Sequence, residues 1–126
     1  MTIKDMKVLI CDDSMFARKK LSMSIASLGV ENIAEAADGE EAISKFKEIK
    51  PDVVFMDIIM PKVTGIDALK NIIAEFPDAK IIMASSVGTQ GHLKEAIKAG
   101  AADFLQKPIS DEDIKKILET AAKGEL

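Results

Sequence analysis

Five short apolar runs alternate with five amphipathic stretches, and no other feature of the 126-residue chain constrains its fold so tightly. The runs are Lys7 to Cys11, Asn32 to Ala36, Asp52 to Met56, Lys80 to Ala84 and Ala102 to Gln106. Val8-Leu9-Ile10-Cys11 and Val53-Val54-Phe55-Met56 are apolar throughout, as strands buried on both faces are. Asn32-Ile33-Ala34-Glu35-Ala36 is weaker and reads as a sheet edge. Between the runs, apolar residues recur at helical spacing. Ser14 opens a helix with Phe16-Ala17, Leu21, Ile25 and Leu28 on one face, closed by Gly29. Asp38-Gly39 starts a second, with Ala42, Ile43, Phe46 and Ile49 inward, and Pro51 stops it. From about Gly65, Ile66, Leu69, Ile73 and Phe76 share a face until Pro77. Thr89 to Ala99 turns Leu93, Ala96 and Ile97 inward ahead of Gly100. Ser110 caps the last helix, with Ile114, Ile117, Leu118 and Ala121 inward and Gly124 at its end. Uninterrupted alternation of this kind predicts one α/β domain over residues 1–126, its parallel sheet covered by helices on both faces.

In an open parallel sheet the ligand site lies at the carboxyl ends of the strands, where the strand order reverses. Asp12-Asp13, Asp57, Ser85 and Lys107 all fall at such ends, on four different strands. Adjacent carboxylates at a strand end are an unlikely structural choice. About 4 Å apart they repel by ~4 kcal/mol at an effective dielectric near 20, and burial makes each charge costlier. A cation between them, or a nearby basic group, must offset this.

Three carboxylates make a hard, oxygen-only site suited to Mg2+, which takes one or two carboxylates and keeps waters or phosphate oxygens. Lys107 is a compact cation that can balance the cluster or hold an anion. Ser85 can bond an oxygen of a tetrahedral ligand. Asp57, alone on its strand and followed by a loop containing Pro61 and Gly65, is the best nucleophile; attack on phosphorus gives an acyl phosphate. Composition narrows the alternatives. Net charge is −4 with both signs interleaved, and no basic run suggests nucleic acid. The single cysteine excludes an internal disulfide framework. Without a signal-peptide core or a long apolar span, a cytoplasmic, membrane-free location is expected.

The strings Cys11-Asp12-Asp13-Ser14, Met56-Asp57-Ile58-Ile59-Met60-Pro61 with Gly65, Ala84-Ser85-Ser86, and Phe104-Leu105-Gln106-Lys107-Pro108 resemble receiver domains of bacterial response regulators. The likeness spans nearly the whole chain and is nearest the single-domain chemotaxis type. It implies a flavodoxin-like, doubly wound (βα)5 fold with strand order 2-1-3-4-5. It implies that Asp57 accepts phosphate from a histidine kinase. Asp13, Asp57 and the Ile59 backbone carbonyl would ligate Mg2+, with Asp12 acting mainly through a bound water. Ser85 would move to bond the phosphate and Lys107 would pair with it. Phe104 would turn inward as Ser85 moves, reshaping the face of the fourth helix, last strand and fifth helix, where a downstream target protein would dock. With no DNA-binding domain in the chain, output is expected through protein contact or phosphate relay.

Some residues depart from the family pattern. Phe104 replaces a common tyrosine, Ile109 a common phenylalanine, and the two positions flanking the phosphate, Ile59 and Val87, are apolar. A polar residue at one of the latter positions the hydrolytic water in many relatives, so a slowly hydrolysing phosphoaspartate is expected. Simpler roles exist for each residue taken alone. Asp13 could merely cap a helix, Cys11 reads as a buried small residue, and the methionines read mostly as core, with Met15 and Met60 at the site rim. The competing function is a Mg-dependent phosphohydrolase with an aspartyl nucleophile. That class wants two aspartates separated by one residue after the first strand, whereas Asp12 and Asp13 are adjacent.

Overall fold

The computed structural model describes residues 1–86 and 90–126. A 3-10 turn, Ile3–Asp5, leads into β1 (Lys7–Cys11), α1 (Met15–Ser27), β2 (Asn32–Ala36), α2 (Gly39–Ile49), β3 (Val53–Asp57), α3 (Gly65–Glu75) and β4 (Ile81–Ser85). A second 3-10 turn, Gln90–His92, precedes α4 (Leu93–Lys98), β5 (Asp103–Gln106) and α5 (Asp111–Ala122). All strand pairs are parallel and their order is β2-β1-β3-β4-β5, as expected. The weak β2 does lie at an edge. The chain reverses direction across the sheet between β1 and β3, so their carboxyl ends flank the switch point.

Alternation along the strands divides the core into two layers. Val8, Ile10, Phe55 and Ile82 point to the face covered by Ile25 of α1 and by Ile114, Ile117 and Leu118 of α5. Leu9, Val54, Met56 and Met83 point to the opposite face, under α2, α3 and Ala96 of α4. Each such side chain, fully buried, contributes about 1.5–3 kcal/mol. Side-chain caps define the helix starts. Ser14, Asp38, Thr64 and Ser110 each accept the backbone N–H three residues on, satisfying donors that the first helical turn leaves unpaired. Two glycines are required by close approach: a Cβ at Gly39 would collide with the Val63 carbonyl, and one at Gly65 with the Asp57 carbonyl.

Several inward assignments fail. Phe16 is 79% exposed and Ile97 46% exposed. Ala17, Leu21, Ile25 and Leu28 form the stripe of α1 that faces the sheet, and Phe16 lies about 100° round the helix from Ala17. Ala96, fully buried, takes the inward position on α4, which leaves Ile97 outside. The helix itself is short, and its expected start at Thr89 lies outside the described residues. Met60 is buried in the core rather than at the site rim, whereas Met1, Met15 and Met23 are exposed. Among the described residues no helix is long and apolar enough to cross a membrane.

Candidate functional site

The carboxyl ends of β1 and β3 bring the acids together. Carboxylate oxygens of Asp12, Asp13 and Asp57 all lie within 4.8 Å of one another. Asp12 and Asp57 are buried, while Asp13, one residue beyond the sheet, is exposed. The Lys107 ammonium, carried in just past β5, donates to Asp12 Oδ2 at 2.7 Å and to Asp57 Oδ2 at 3.3 Å. This is the basic group that the sequence demanded to offset the acidic cluster. The remaining Asp12 oxygen, Oδ1, accepts the Ser14 N–H at 2.9 Å. Lys107 follows the last residue of β5, its amide bonds the Ser85 carbonyl at 2.7 Å, and its peptide to Pro108 is cis.

Burial pushes the Asp57 carboxyl above its ordinary value; Lys107 pulls it back and Asp12 pushes it up again, leaving a net rise. Burial alone would lower Lys107, but its bond to Asp12 and the charges of Asp57 and Asp12 outweigh that and hold it above the usual lysine range. Lys107 is therefore a fixed cation, and Asp57 an acid whose charge is held at a cost. Cys11, free and buried beneath the site, has its thiol raised by burial first and then by Glu41 and Asp12. Such a group is chemically quiet at neutral pH.

Ser85 ends β4 with its Oγ wholly buried and, among the described residues, without a hydrogen-bond partner. Buried hydroxyls are rarely left so, and the strand places this one beside β3, with Asp57 opposite Ala84. Ile59 stands in the loop after β3, 54% exposed. Its neighbour Ile58 is fixed on both sides, donating to the Ala84 carbonyl at 3.3 Å and accepting from the Gly65 amide at 2.8 Å. Phe104 does not join the cluster. It lies opposite Met83 in the register of β4 and β5 and is 43% exposed. Val87 lies outside the described residues.

Residues 8–119 match the response regulator receiver domain family. The chain belongs to that family. Among its relatives, the chemotaxis protein CheY of Listeria monocytogenes is 45% identical over 118 residues, 94% of this chain and 99% of that protein. The chemotaxis protein CheY of Thermotoga maritima is 47% identical over 93% of this receiver chain and 98% of its own length. Among solved structures, a complex of CheX and CheY with BeF3 and Mg2+ from Borrelia burgdorferi matches with a TM-score of 0.84 and 37% identity, covering 94% of this chain and 89% of that one. The receiver assignment disfavours the phosphohydrolase alternative, and the CheY relatives support a role in chemotaxis signalling.

Two residues escape the sequence reading of this receiver. Arg18, one turn into α1, donates from Nη1 to the Asp12 carbonyl at 2.8 Å and from Nε to Glu35 of β2 at 3.1 Å. A cleft of about 210 Å3 between α1 and α5 reaches Asp12, Asp57 and Lys107 at one end. Phe16 lines its wall, and Ile109 packs against the α1/α5 core.

Proposed function

We propose that this receiver is a Mg-dependent phosphoaspartate switch in which Asp57 takes a phosphoryl group from the phosphohistidine of a histidine kinase. One observation carries the reading: three carboxylates, a lysine and a buried serine hydroxyl lie at one rim of the sheet. The donor set is all oxygen, which fits Mg2+ better than a soft metal. Asp12, Asp13 and Asp57, with the Ile59 carbonyl, would hold the ion; when bound, it neutralises charge on the transferring phosphoryl oxygens.

The chain's own groups supply the rest. An Asp57 oxygen attacks phosphorus, the P–N bond to the donor imidazole breaks, and the electron pair leaves with the imidazole nitrogen, which takes up a proton. Lys107, already in contact with Asp57, offers its ammonium to the phosphoryl oxygens as a charge-assisted donor. Ser85 Oγ, without a hydrogen-bond partner among the described residues, gains an acceptor in this state. Drawing Ser85 toward the phosphoryl group opens space behind it. Phe104, half-exposed one strand away, would turn into that space and alter the face made by α4, β5 and α5. Asp111, Glu112, Lys115, Lys116 and Glu119 are exposed on α5 and would contact a downstream target protein. Converting that face from 1:99 to 99:1 requires about 5.5 kcal/mol of differential stabilisation.

The acidic net charge and dispersed lysines support a protein partner over nucleic acid, and a cytoplasmic chemotaxis role is consistent with the CheY relatives. The chain acts on its own phosphate and on no separate substrate. Intact mass after treatment with acetyl phosphate and Mg2+ tests the reading. Wild type should gain one phosphoryl unit and Asp57→Asn none; an equal gain in both removes Asp57 as the acceptor.

A further inference from the structure

The peptide that joins Asp12 to Asp13 is held from outside the acidic cluster. Its carbonyl accepts the 2.8 Å bond from Arg18 Nη1, while Nε of the same guanidinium lies 3.1 Å from Glu35 Oε1. The Arg18 and Glu35 side chains are only 14% and 25% exposed, and Lys19 Nζ sits 3.2 Å from the other Glu35 oxygen. Glu35 is in turn fixed by the sheet, opposite Ile10 in the β1–β2 register. One residue on, the Asp12 amide donates to the Ala36 carbonyl at 3.1 Å.

A peptide unit is planar. Holding the Asp12 carbonyl therefore fixes the Asp13 N–H and the position of its Cα. The Ser14 amide, held by Asp12 Oδ1 at 2.9 Å, restrains the other side of the same residue. Together they limit the direction in which the Asp13 side chain leaves the backbone. The Asp12 carboxylate is already secured by Lys107 and the Ser14 amide. Asp13 is exposed, so its aim depends on the backbone beneath it. Arginine suits this task because one rigid fork spans two acceptors, which a lysine ammonium cannot do in the same way. Glu35 sets the fork's orientation and offsets a charge that would otherwise repel a cation in the cluster.

We infer that Arg18, oriented by Glu35, is a positioning residue that aims Asp13 for metal binding; this rests on the reading of Asp12, Asp13 and Asp57 as a Mg2+ site. The inference has a sign that simple electrostatics does not share. Deleting a positive charge beside three carboxylates should tighten Mg2+ binding. Deleting a residue that aims one of the ligands should loosen it.

The chain contains neither tryptophan nor tyrosine, so the test uses calorimetry and 15N NMR. Mg2+ is titrated into wild type, Arg18→Met and Arg18→Lys, with melting temperatures measured in EDTA. Expected is an affinity loss on the order of tenfold for Arg18→Met, the size typical of groups that orient metal ligands. Arg18→Lys, although still cationic, should not restore it, and the Asp13 amide resonance should shift in both variants. A folded Arg18→Met that binds Mg2+ as well as wild type or better overturns the inference, even if its melting temperature falls. If Arg18→Met does not fold, Arg18→Lys decides by the same criterion. Wild type that takes up no Mg2+ overturns the metal-site reading and this inference together, whereas normal wild-type uptake with unaltered variants overturns the inference alone.

Discussion

Lys107 donates a 2.7 Å hydrogen bond to Asp12 across 95 residues of sequence, joining the end of β5 to the end of β1 over the intervening strands. The bond makes the acidic rim tolerable without any external ion. On the proposed metal-site reading, a lysine and a divalent cation would address the same carboxylates. A tethered ammonium can give way as the rim fills, because its flexible stem lets it follow the nearest anion.

Replacing Lys107 by methionine tests that competition. The metal-free protein should lose about 1–3 kcal/mol, because two buried carboxylates lose a charged donor, with the lower end favoured since the lysine is 28% exposed. Mg2+ should bind several-fold more tightly, one competing positive charge having gone. Urea unfolding in EDTA and Mg2+ calorimetry measure the two effects, and weaker Mg2+ binding would contradict the competition.

Asp57 gives a pH prediction. Its folded carboxyl value is raised, chiefly by burial, so the native state holds that proton more firmly than the unfolded chain does. The contribution to stability is then greatest below the ordinary carboxylate value. It declines as pH climbs from there through the raised folded value, because over that window the native state binds more protons. Asp57→Asn should remove this decline and raise the melting temperature at neutral pH in EDTA. In a domain of this size about 4 °C corresponds to 1 kcal/mol. A lower melting temperature for the variant at pH 7 would show that the Lys107 contact outweighs the cost of burial.

Gly65 begins α3 against the Asp57 carbonyl, and a methyl group there would meet backbone rather than a yielding side chain. Gly65→Ala should cost about 1–3 kcal/mol through overpacking, displace the end of β3 and lower phosphorylation by acetyl phosphate. Gly91 is the control. A Cβ there meets nothing within 4 Å, so Gly91→Ala should stay within about 0.5 kcal/mol of wild type. Equal stability of the two variants in urea would remove the packing argument.

The fold was legible because strand ends and helix caps are local signals. Ser14, Asp38 and Ser110 mark helix starts in the sequence and serve there in the structure. The acidic rim was legible for a topological reason: in a parallel sheet every strand's carboxyl end falls at the same edge, so Asp12, Asp57 and Lys107 could be placed together without coordinates. Phe16 and Ile97 misled because apolar character alone assigned them inward, while their neighbours Ala17 and Ala96 held the inner angle. The pairing of Arg18 with Glu35 left no trace, since it depends on the side-chain reach between a helix and an edge strand. Arginine at the start of a helix and glutamate in a weak strand are each ordinary surface choices.

Ile59 sits at the rim with more than half its surface exposed, in the place where a polar side chain in many receivers would hold the water that cleaves the acyl phosphate. An aliphatic side chain offers that water no hydrogen bond, so slow hydrolysis is expected. Phosphorylated wild type should persist for minutes rather than seconds after acetyl phosphate is removed in the presence of Mg2+. Ile59→Asn, similar in reach but able to donate and accept, should shorten that lifetime several-fold while leaving the rate of phosphorylation nearly unchanged. A fully formed general acid–base contribution is commonly worth about two to four orders of magnitude, so a several-fold change is a conservative expectation for a group introduced without its supporting partners. Release of inorganic phosphate, followed by intact mass across a time course, gives both lifetimes. An identical decay for the two proteins would mean that the rim at position 59 does not govern access of water to Asp57.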